Sequence, residues 1–517
     1  MNADPMAVAT SIGRVSRGRA GLAPIDVRGA WLPLAVAAVI LWFVGRVFVA
    51  PLDHDESQYV ATAMLVHGAL PYRDFVSLQP PLQSWFYAPL GMLPAGYIFP
   101  GMRLLTAALA IAALAILYAG QRAAAIDRRA AAATTLAMAA CSSFQFSSSI
   151  VRNDMLPLVL LVAATFPAMR MADARGRDGV SPAFGCGVLL ALAAATKLSY
   201  VPMIVAVGLC QIALARRIVD RRILGYGAGL AIGLVPLLVA ARVAPGNFHW
   251  GVYTFARTAP YDWYATIGRA AELDTTVKLA MLARYMATSP VGVALALVAI
   301  GWWRCRAGPN RPALMLIAMC AAGLAGAAMP TPAHRQYLLP LLPPLFVLLG
   351  LMLARGRAGR GAWLALAITA ALGLVPTATA LARLPVAGSP LLTAQAQSAA
   401  MRWIISSTGT TGPVATLSPD RAVDSGLPLD PRFAAGPFVF RSGELLSPRH
   451  ARRLNATTPD TLARDFGRHP PAAVLVGYER QVRHGDIQVD RPLEEWAVSH
   501  GYAAYALPDR VGRLYVR

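Results

Sequence analysis

The chain has 517 residues, of which 56% are hydrophobic and only 14% charged, against about 25% charged residues in ordinary soluble domains. Its net charge of +21 does not indicate nucleic acid, because the arginines cluster in short loops between long apolar blocks, where they orient a membrane protein. Cys141, Cys186, Cys210, Cys305 and Cys320 all fall in apolar blocks or a short basic loop, which offers neither a disulfide framework nor a zinc spacing.

In chain order, residues 1–28 read as a cytoplasmic tail. The block Trp31–Ala50 is too long for the apolar core of a signal peptide and is expected to remain as an anchor. A spanning helix needs about 20 mostly apolar residues. Further blocks lie near 101–120, 130–150, 154–170, 183–197, 200–215, 223–243, 286–303, 313–330, 337–354 and 361–383. The expected fold is therefore an α-helical polytopic membrane protein with about 11 transmembrane helices. Alternate loops carry Arg122, Arg128 and Arg129; Arg170, Arg175 and Arg177; Arg216, Arg217, Arg221 and Arg222; Arg304, Arg306 and Arg311; and Arg355, Arg357 and Arg360. The loops between them are poor in arginine. This repeated bias predicts a cytoplasmic N-terminus and, with an odd number of spans, a C-terminus outside. The expected organisation is a tail (1–28), a transmembrane domain (29–383) with its first outer loop at 51–100, and a periplasmic domain (384–517). In that last segment, turn-rich stretches alternate with a helical stretch at Thr461–Gly467 and apolar runs at Ala472–Val476 and Leu514–Val516. This alternation predicts a small α/β extracytoplasmic domain.

The outer segments hold the candidate chemistry. The first loop opens Asp53-His54-Asp55-Glu56-Ser57-Gln58-Tyr59 and continues through Pro71-Tyr72-Arg73-Asp74 to Gln79-Pro80-Pro81-Leu82. A tight loop between the third and fourth spans reads Val151-Arg152-Asn153-Asp154 and returns a second carboxylate to the same face. Carboxylates at a membrane boundary are costly unless solvated or paired, and often mark function. They also suit a helix that simply starts there. Lysine occurs only at Lys197 and Lys278. Lys197 ends the fifth span, where it either snorkels or faces a lipid phosphate. The last outer hairpin offers His334-Arg335-Gln336-Tyr337, read either as an interfacial anchor or as a guanidinium suited to gripping phosphate.

Together these pieces resemble the GT-C superfamily of membrane glycosyltransferases, in the branch of protein O-mannosyltransferases and lipid A aminoarabinose transferases, glycosyltransferase family 39-like. The resembling residues are Asp55-Glu56 with Tyr59, Gly68 with Pro71-Tyr72 and Asp74, Pro80-Pro81-Leu82, Arg103-Leu104, Asp154, Thr196-Lys197, and Arg335 with Tyr337-Leu338 and Pro340. They run in order through about the first 345 residues.

The resemblance implies transfer of a sugar from a polyprenyl-phosphate carrier to a hydroxyl acceptor of the cell envelope, at the periplasmic face of a bacterial inner membrane. It implies Asp55 as general base, with Glu56 and Asp154 assisting. Lys197, Arg335 and Tyr337 would hold the donor phosphate, and His54, Tyr59, Tyr72 and Asp74 would bind substrate. No cofactor is required. A divalent cation is compatible, with Asp55, Glu56, Asp154 and His54 as ligands. Two other functions remain open: a transporter or flippase for a lipid-linked sugar, and an O-antigen polymerase or ligase that uses diphosphate donors.

Overall fold

The computed structural model describes residues 27–174, 176–215, 220–304, 310–355, 359–481 and 487–517. Most of the expected tail, together with Cys305, Arg175, Arg216, Arg217, Arg306 and Arg357, lies outside the described residues. Met1–Trp42 falls in one compact unit and Phe43–Arg517 in another. The first helix, α1 (Val27–Val49), crosses that division, and everything below concerns the second unit.

Each apolar block carries a helix. After α2 (Glu56–Leu65) and α3 (Leu82–Tyr87) in the first loop come α4 (Ile98–Ala123), α5 (Arg128–Ala139), α6 (Ser142–Ser147), α7 (Met155–Asp173), α8 (Val180–Thr196), α9 (Val201–Ala215), α10 (Arg221–Gly233) and α11 (Val235–Val243). Two loop helices follow, α12 (Pro245–His249) and α13 (Ala256–Thr266), and then α14 (Thr275–Ala287), α15 (Pro290–Arg304), α16 (Arg311–Ala328), α17 (Leu342–Ala354), α18 (Arg360–Ala387) and α19 (Pro390–Thr408). Among the described residues six helices are individually long and apolar enough to cross a membrane, and up to eight if each bent pair counts as one span. The expected count was about eleven. The difference has local causes. Pro236 lies in the first turn of α11 after a 44° bend, and Pro290 starts α15 after an 85° bend; proline cannot continue the helix before it. Two apolar helices, Pro33–Val49 and Val180–Thr196, are short. The block at 130–150 breaks at Cys141, whose backbone is extended. The chain is a multi-pass membrane protein.

The helices alternate in direction. α7 leaves Asp154 and ends at Ala174, whose carbonyl accepts from Arg222 Nη1 at 2.8 Å. α8 then returns to Lys197. By this alternation the arginine-bearing loops share one end of the bundle, and the loops with the candidate chemistry share the other. α8 and α10 pack unusually closely. A Cβ on Gly229 would lie 2.1 Å from the Phe184 carbonyl oxygen, and one on Gly187 would lie 2.3 Å from that of Tyr226. Small residues permit such backbone approach in membranes.

Beyond α19 the predicted α/β character is present. Strands β1 (Val414–Thr416), β2 (Ala473–Val476), β5 (Ala503–Ala506) and β6 (Arg513–Val516) form one sheet in the order β1-β2-β6-β5. β3 (Arg480–Gln481) and β4 (Ile487–Gln488) form a separate ribbon. β1 and β2 are parallel, while β6 runs antiparallel to both β2 and β5. Phe433, Phe466, Val474, Trp496 and Tyr515 fill the core on one face. The sheet does not separate from the helical region as a compact unit of its own. Asp424 accepts from the backbone N–H groups of Gly96, Ile98 and Phe99 at 2.7, 3.0 and 3.1 Å. A carboxylate at the start of α4 also suits that helix's dipole. Ser57 on α2 donates to Asp420 Oδ1 at 2.6 Å.

Near that junction, burial and then the charge of Asp420 push the Glu479 carboxyl up from 4.5 to about 8. Between those two values the folded protein keeps a proton that the unfolded chain has released. Stability therefore falls as pH rises through this window. Glu479→Gln is expected to flatten the slope of Tm against pH there, and thermal unfolding in detergent across that range measures it.

Candidate active site

A cavity of about 1310 Å³ opens at the loop end of the bundle. Asp53, His54, Asp55 and Tyr59 reach it from the start of the first loop, and Gln79 from that loop's later part. Arg152 and Asn153 come from the turn before α7, Lys197 from the end of α8, and Arg335 and Tyr337 from the turn before α17. Trp263 and Tyr264 on α13 form another wall, and Phe438 and Arg441 close it from the C-terminal region.

One ion-pair chain runs through it. Asp55 pairs with Arg152 Nη1, which also lies 3.5 Å from Asp53 Oδ1. Arg152 Nε donates to Asp154 Oδ2 at 3.1 Å, and Asp154 Oδ1 pairs with Lys197 Nζ. The Lys197 ammonium stands 5.3 Å from the centre of the Tyr337 ring. The Arg335 guanidinium lies 4.3 Å from the centre of the Phe146 ring, and Arg152 sits 5.7 Å from that ring's centre. Burial pushes the Asp55 carboxyl up. The combined charge of Arg152, His54, Arg441 and His334 outweighs this and holds it at about 2. Asp55 is thus a carboxylate at every ordinary pH, with His54 Nε2 at 3.2 Å from its Oδ1.

The break in the 130–150 block has a use here. Extended Cys141 turns α6 so that Phe146 reaches the cavity between Arg152 and Arg335. Asn153 accepts from the Tyr59 hydroxyl at 2.9 Å and donates to Gln79 Oε1 at 2.8 Å, which ties three of the lining segments together. Gly251, in a π-helical turn at Trp250–Phe255, fits against the same loop; a Cβ there would lie 2.2 Å from the Ser77 carbonyl oxygen.

Some expected residues stand elsewhere. Glu56 is fully buried beneath the cavity against Arg103. Arg103 Nε donates to its Oε1 at 2.9 Å, and the Val151 N–H donates to the same oxygen at 2.8 Å. Arg103 also donates to the Ala50 and Pro51 carbonyls at 3.1 and 2.9 Å. Glu56 thereby fixes the exit of α1, the start of α2 and the turn before α7. Removing one partner of a buried pair typically costs about 3–5 kcal/mol. Glu56→Ala is expected to lower stability by about that amount, read as a fall in Tm. Asp154 is likewise buried, behind Arg152 and Lys197 rather than in the cavity lining.

Tyr72 and Asp74 are not brought to the cavity either. The Tyr72 hydroxyl donates to the Gln79 carbonyl at 2.5 Å, and Asp74 pairs with Arg73. Both brace the loop that presents Gln79. The carboxylates able to share a cation differ from the expected set for the same reason, because Glu56 and Asp154 are spent on internal pairs. Asp53, His54 and Asp55 each offer one ligand atom, and these lie within 4.8 Å of one another. That spacing admits a hard cation, although Arg152 already balances both carboxylates.

Arg152 was legible as the lone arginine in an otherwise arginine-poor loop. No sequence signal pointed to Arg441.

Residues 78–330 match the model of glycosyltransferase family 87. Two solved structures of ArnT from Cupriavidus metallidurans share the fold. One, bound to undecaprenyl phosphate, has TM-score 0.58, and the apo form 0.59. Both are 16% identical and cover 94% of this chain and 97% of their own. The chain has the fold of these structures, and about half of it matches a glycosyltransferase family model. A search of curated proteins found no match. The resemblance read from the motifs agrees with the fold of these structures, and the family model that matches is family 87. The cavity combines an ionised carboxylate, several cations and aromatic faces, the groups that sugar transfer from a phosphate leaving group would use.

Proposed function

We propose that the protein moves a sugar from a polyprenyl-phosphate carrier to a hydroxyl acceptor of the envelope, on the periplasmic side of a bacterial inner membrane. The arginine-rich loops would face the cytoplasm, by the charge bias. One observation carries the reading: Asp55, Lys197 and Arg335 line a single cavity, and Met329 on its rim also lines an apolar groove. That groove, about 860 Å³ between α9 and α16, is bordered by Val201, Val205, Leu209, Leu314 and Ile317. An isoprenoid tail lying there would deliver its phosphate to Lys197 and Arg335. The undecaprenyl phosphate bound to the ArnT of like fold supports a carrier of this kind.

In the proposed step the acceptor oxygen attacks the anomeric carbon and Asp55 takes its proton. The bond from that carbon to the phosphate oxygen breaks, and the electron pair leaves with the polyprenyl phosphate. Lys197 and Arg335 offset the charge that develops on it, and Tyr337 donates a hydrogen bond. Because Arg152 holds Asp55 in the resting site, a phosphate arriving beside Arg152 would draw the guanidinium away and make the carboxylate a stronger base. Asp154 would then orient Arg152 and Lys197 rather than act on the acceptor. A bound divalent cation at Asp53, His54 and Asp55 is compatible with this scheme and no step depends on it.

Purified protein should consume polyprenyl-phosphate sugar in detergent and release polyprenyl phosphate. A transporter would leave the donor intact, and a polymerase or ligase would instead consume diphosphate-linked donors.

A further inference from the structure

Asp55 divides the lining, its Oδ2 meeting Arg152 and its Oδ1 meeting His54. On one side lie Arg152, Lys197, Tyr337 and Arg335, next to the apolar groove at Met329. On the other, the His54 ring packs 5.6 Å from the Phe438 ring. Arg441 lies 4.6 Å from the centre of Phe438 and 4.7 Å from that of Trp263. Arg441 lines the cavity, and among the described residues no carboxylate is in ion-pair contact with it, although Asp55 and Glu479 act on it from farther away. Its position is built: Gly436, at φ 58°, begins the turn into Pro437–Arg441, and a Cβ there would lie 2.9 Å from the Ser57 Cβ. The segment bearing Arg441 is thereby seated on α2, the helix that Asp55 precedes.

A guanidinium kept partly from water with no anion in direct contact leaves a place for a ligand to supply one. Stacked between two rings, it is also rigid. A single displacement requires the attacking oxygen to approach opposite the departing phosphate. If the phosphate leaves toward Lys197 and Arg335, the acceptor must come from the side of His54.

We infer, resting on the transfer reading above, that the acceptor subsite lies between α13 and the 437–441 segment. There Arg441, held by Trp263 and Phe438, binds an acidic oxygen on the acceptor's sugar ring. The C-terminal region thus completes the acceptor half of the site, and Arg441 is a specificity residue for it.

The test uses the full chain in lipid nanodiscs saturated with undecaprenyl phosphate, with methyl β-glucuronide as probe and methyl β-glucoside as its neutral counterpart. Arg441→Ala is expected to weaken glucuronide binding by about tenfold or more, the size of one lost charge-assisted hydrogen bond. Arg441→Lys should recover part of it, and glucoside binding should change less. Undecaprenyl phosphate binding should stay within about twofold of wild type, which also reports a folded protein. The inference is overturned if Arg441→Ala weakens undecaprenyl phosphate binding as much as Lys197→Ala does, which would put Arg441 at the donor end. It is equally overturned if wild-type protein does not bind the glucuronide, or binds it as well without Arg441. Failure of the base assignment looks different: Asp55→Asn would then turn over donor normally, with both binding results unchanged.

Discussion

Asp55→Asn should reduce kcat by about 10²–10⁴-fold, the usual contribution of a positioned general base, while the protein stays folded and still binds undecaprenyl phosphate. The amide keeps the shape of the carboxylate but cannot take the acceptor's proton. Asparagine also removes the charge that faces Arg152, leaving that guanidinium with Asp53 and Asp154. Since Asp154 and Asp53 remain, the ion-pair chain is shortened rather than broken, and Tm should fall modestly. Polyprenyl phosphate released per unit time from a polyprenyl-phosphate sugar, measured beside a melting curve, separates the two effects. Wild-type turnover in the variant would remove Asp55 from the mechanism.

The second large effect concerns the cations. Arg335→Ala and Lys197→Ala should each lower kcat by about 10²–10³-fold, by analogy with deleting one donor to a developing oxyanion. The two should differ in stability. Lys197 pairs with buried Asp154, so its loss leaves that carboxylate to Arg152 alone and should cost up to about 3–5 kcal/mol. Arg335 lies over Phe146 and has no ion pair among the described residues, so its removal should leave Tm nearly unchanged. Kinetics and thermal unfolding on the same two preparations test both halves. Equal losses of stability would show that the Asp154–Lys197 pair is not structural.

Much of this arrangement was readable before any coordinates, for identifiable reasons. Long apolar runs and arginine in alternate loops follow from the solvent the chain must satisfy, so the helical blocks were legible. The bends at Pro236 and Pro290 and the break at Cys141 were not, because hydropathy averages over them. Asp55, Lys197, Arg335 and Tyr337 stood out as polar residues at helix ends, and helix alternation brings those ends together. Glu56 and Asp154 carried the same signal, yet their partners Arg103 and Arg152 bury them. Spacing along a chain cannot distinguish a carboxylate that faces a cavity from one held beneath it. Tyr72 and Asp74 carried that signal as well, and they brace the loop outside the lining. Arg441 was invisible because it reaches the cavity from a segment almost 400 residues after Asp55, placed by the docking of Gly436 on Ser57 and by the Trp263 and Phe438 rings.

The most direct test is a density map of the protein with undecaprenyl phosphate bound. The phosphate should lie against Lys197 and Arg335, within hydrogen-bond reach of Tyr337, with the isoprenoid entering along α9 and α16 past Met329 and Asp55 facing the space a sugar would fill. A phosphate held at the arginine-bearing end of the bundle, or one from which Asp55 is walled off by protein, would contradict the account.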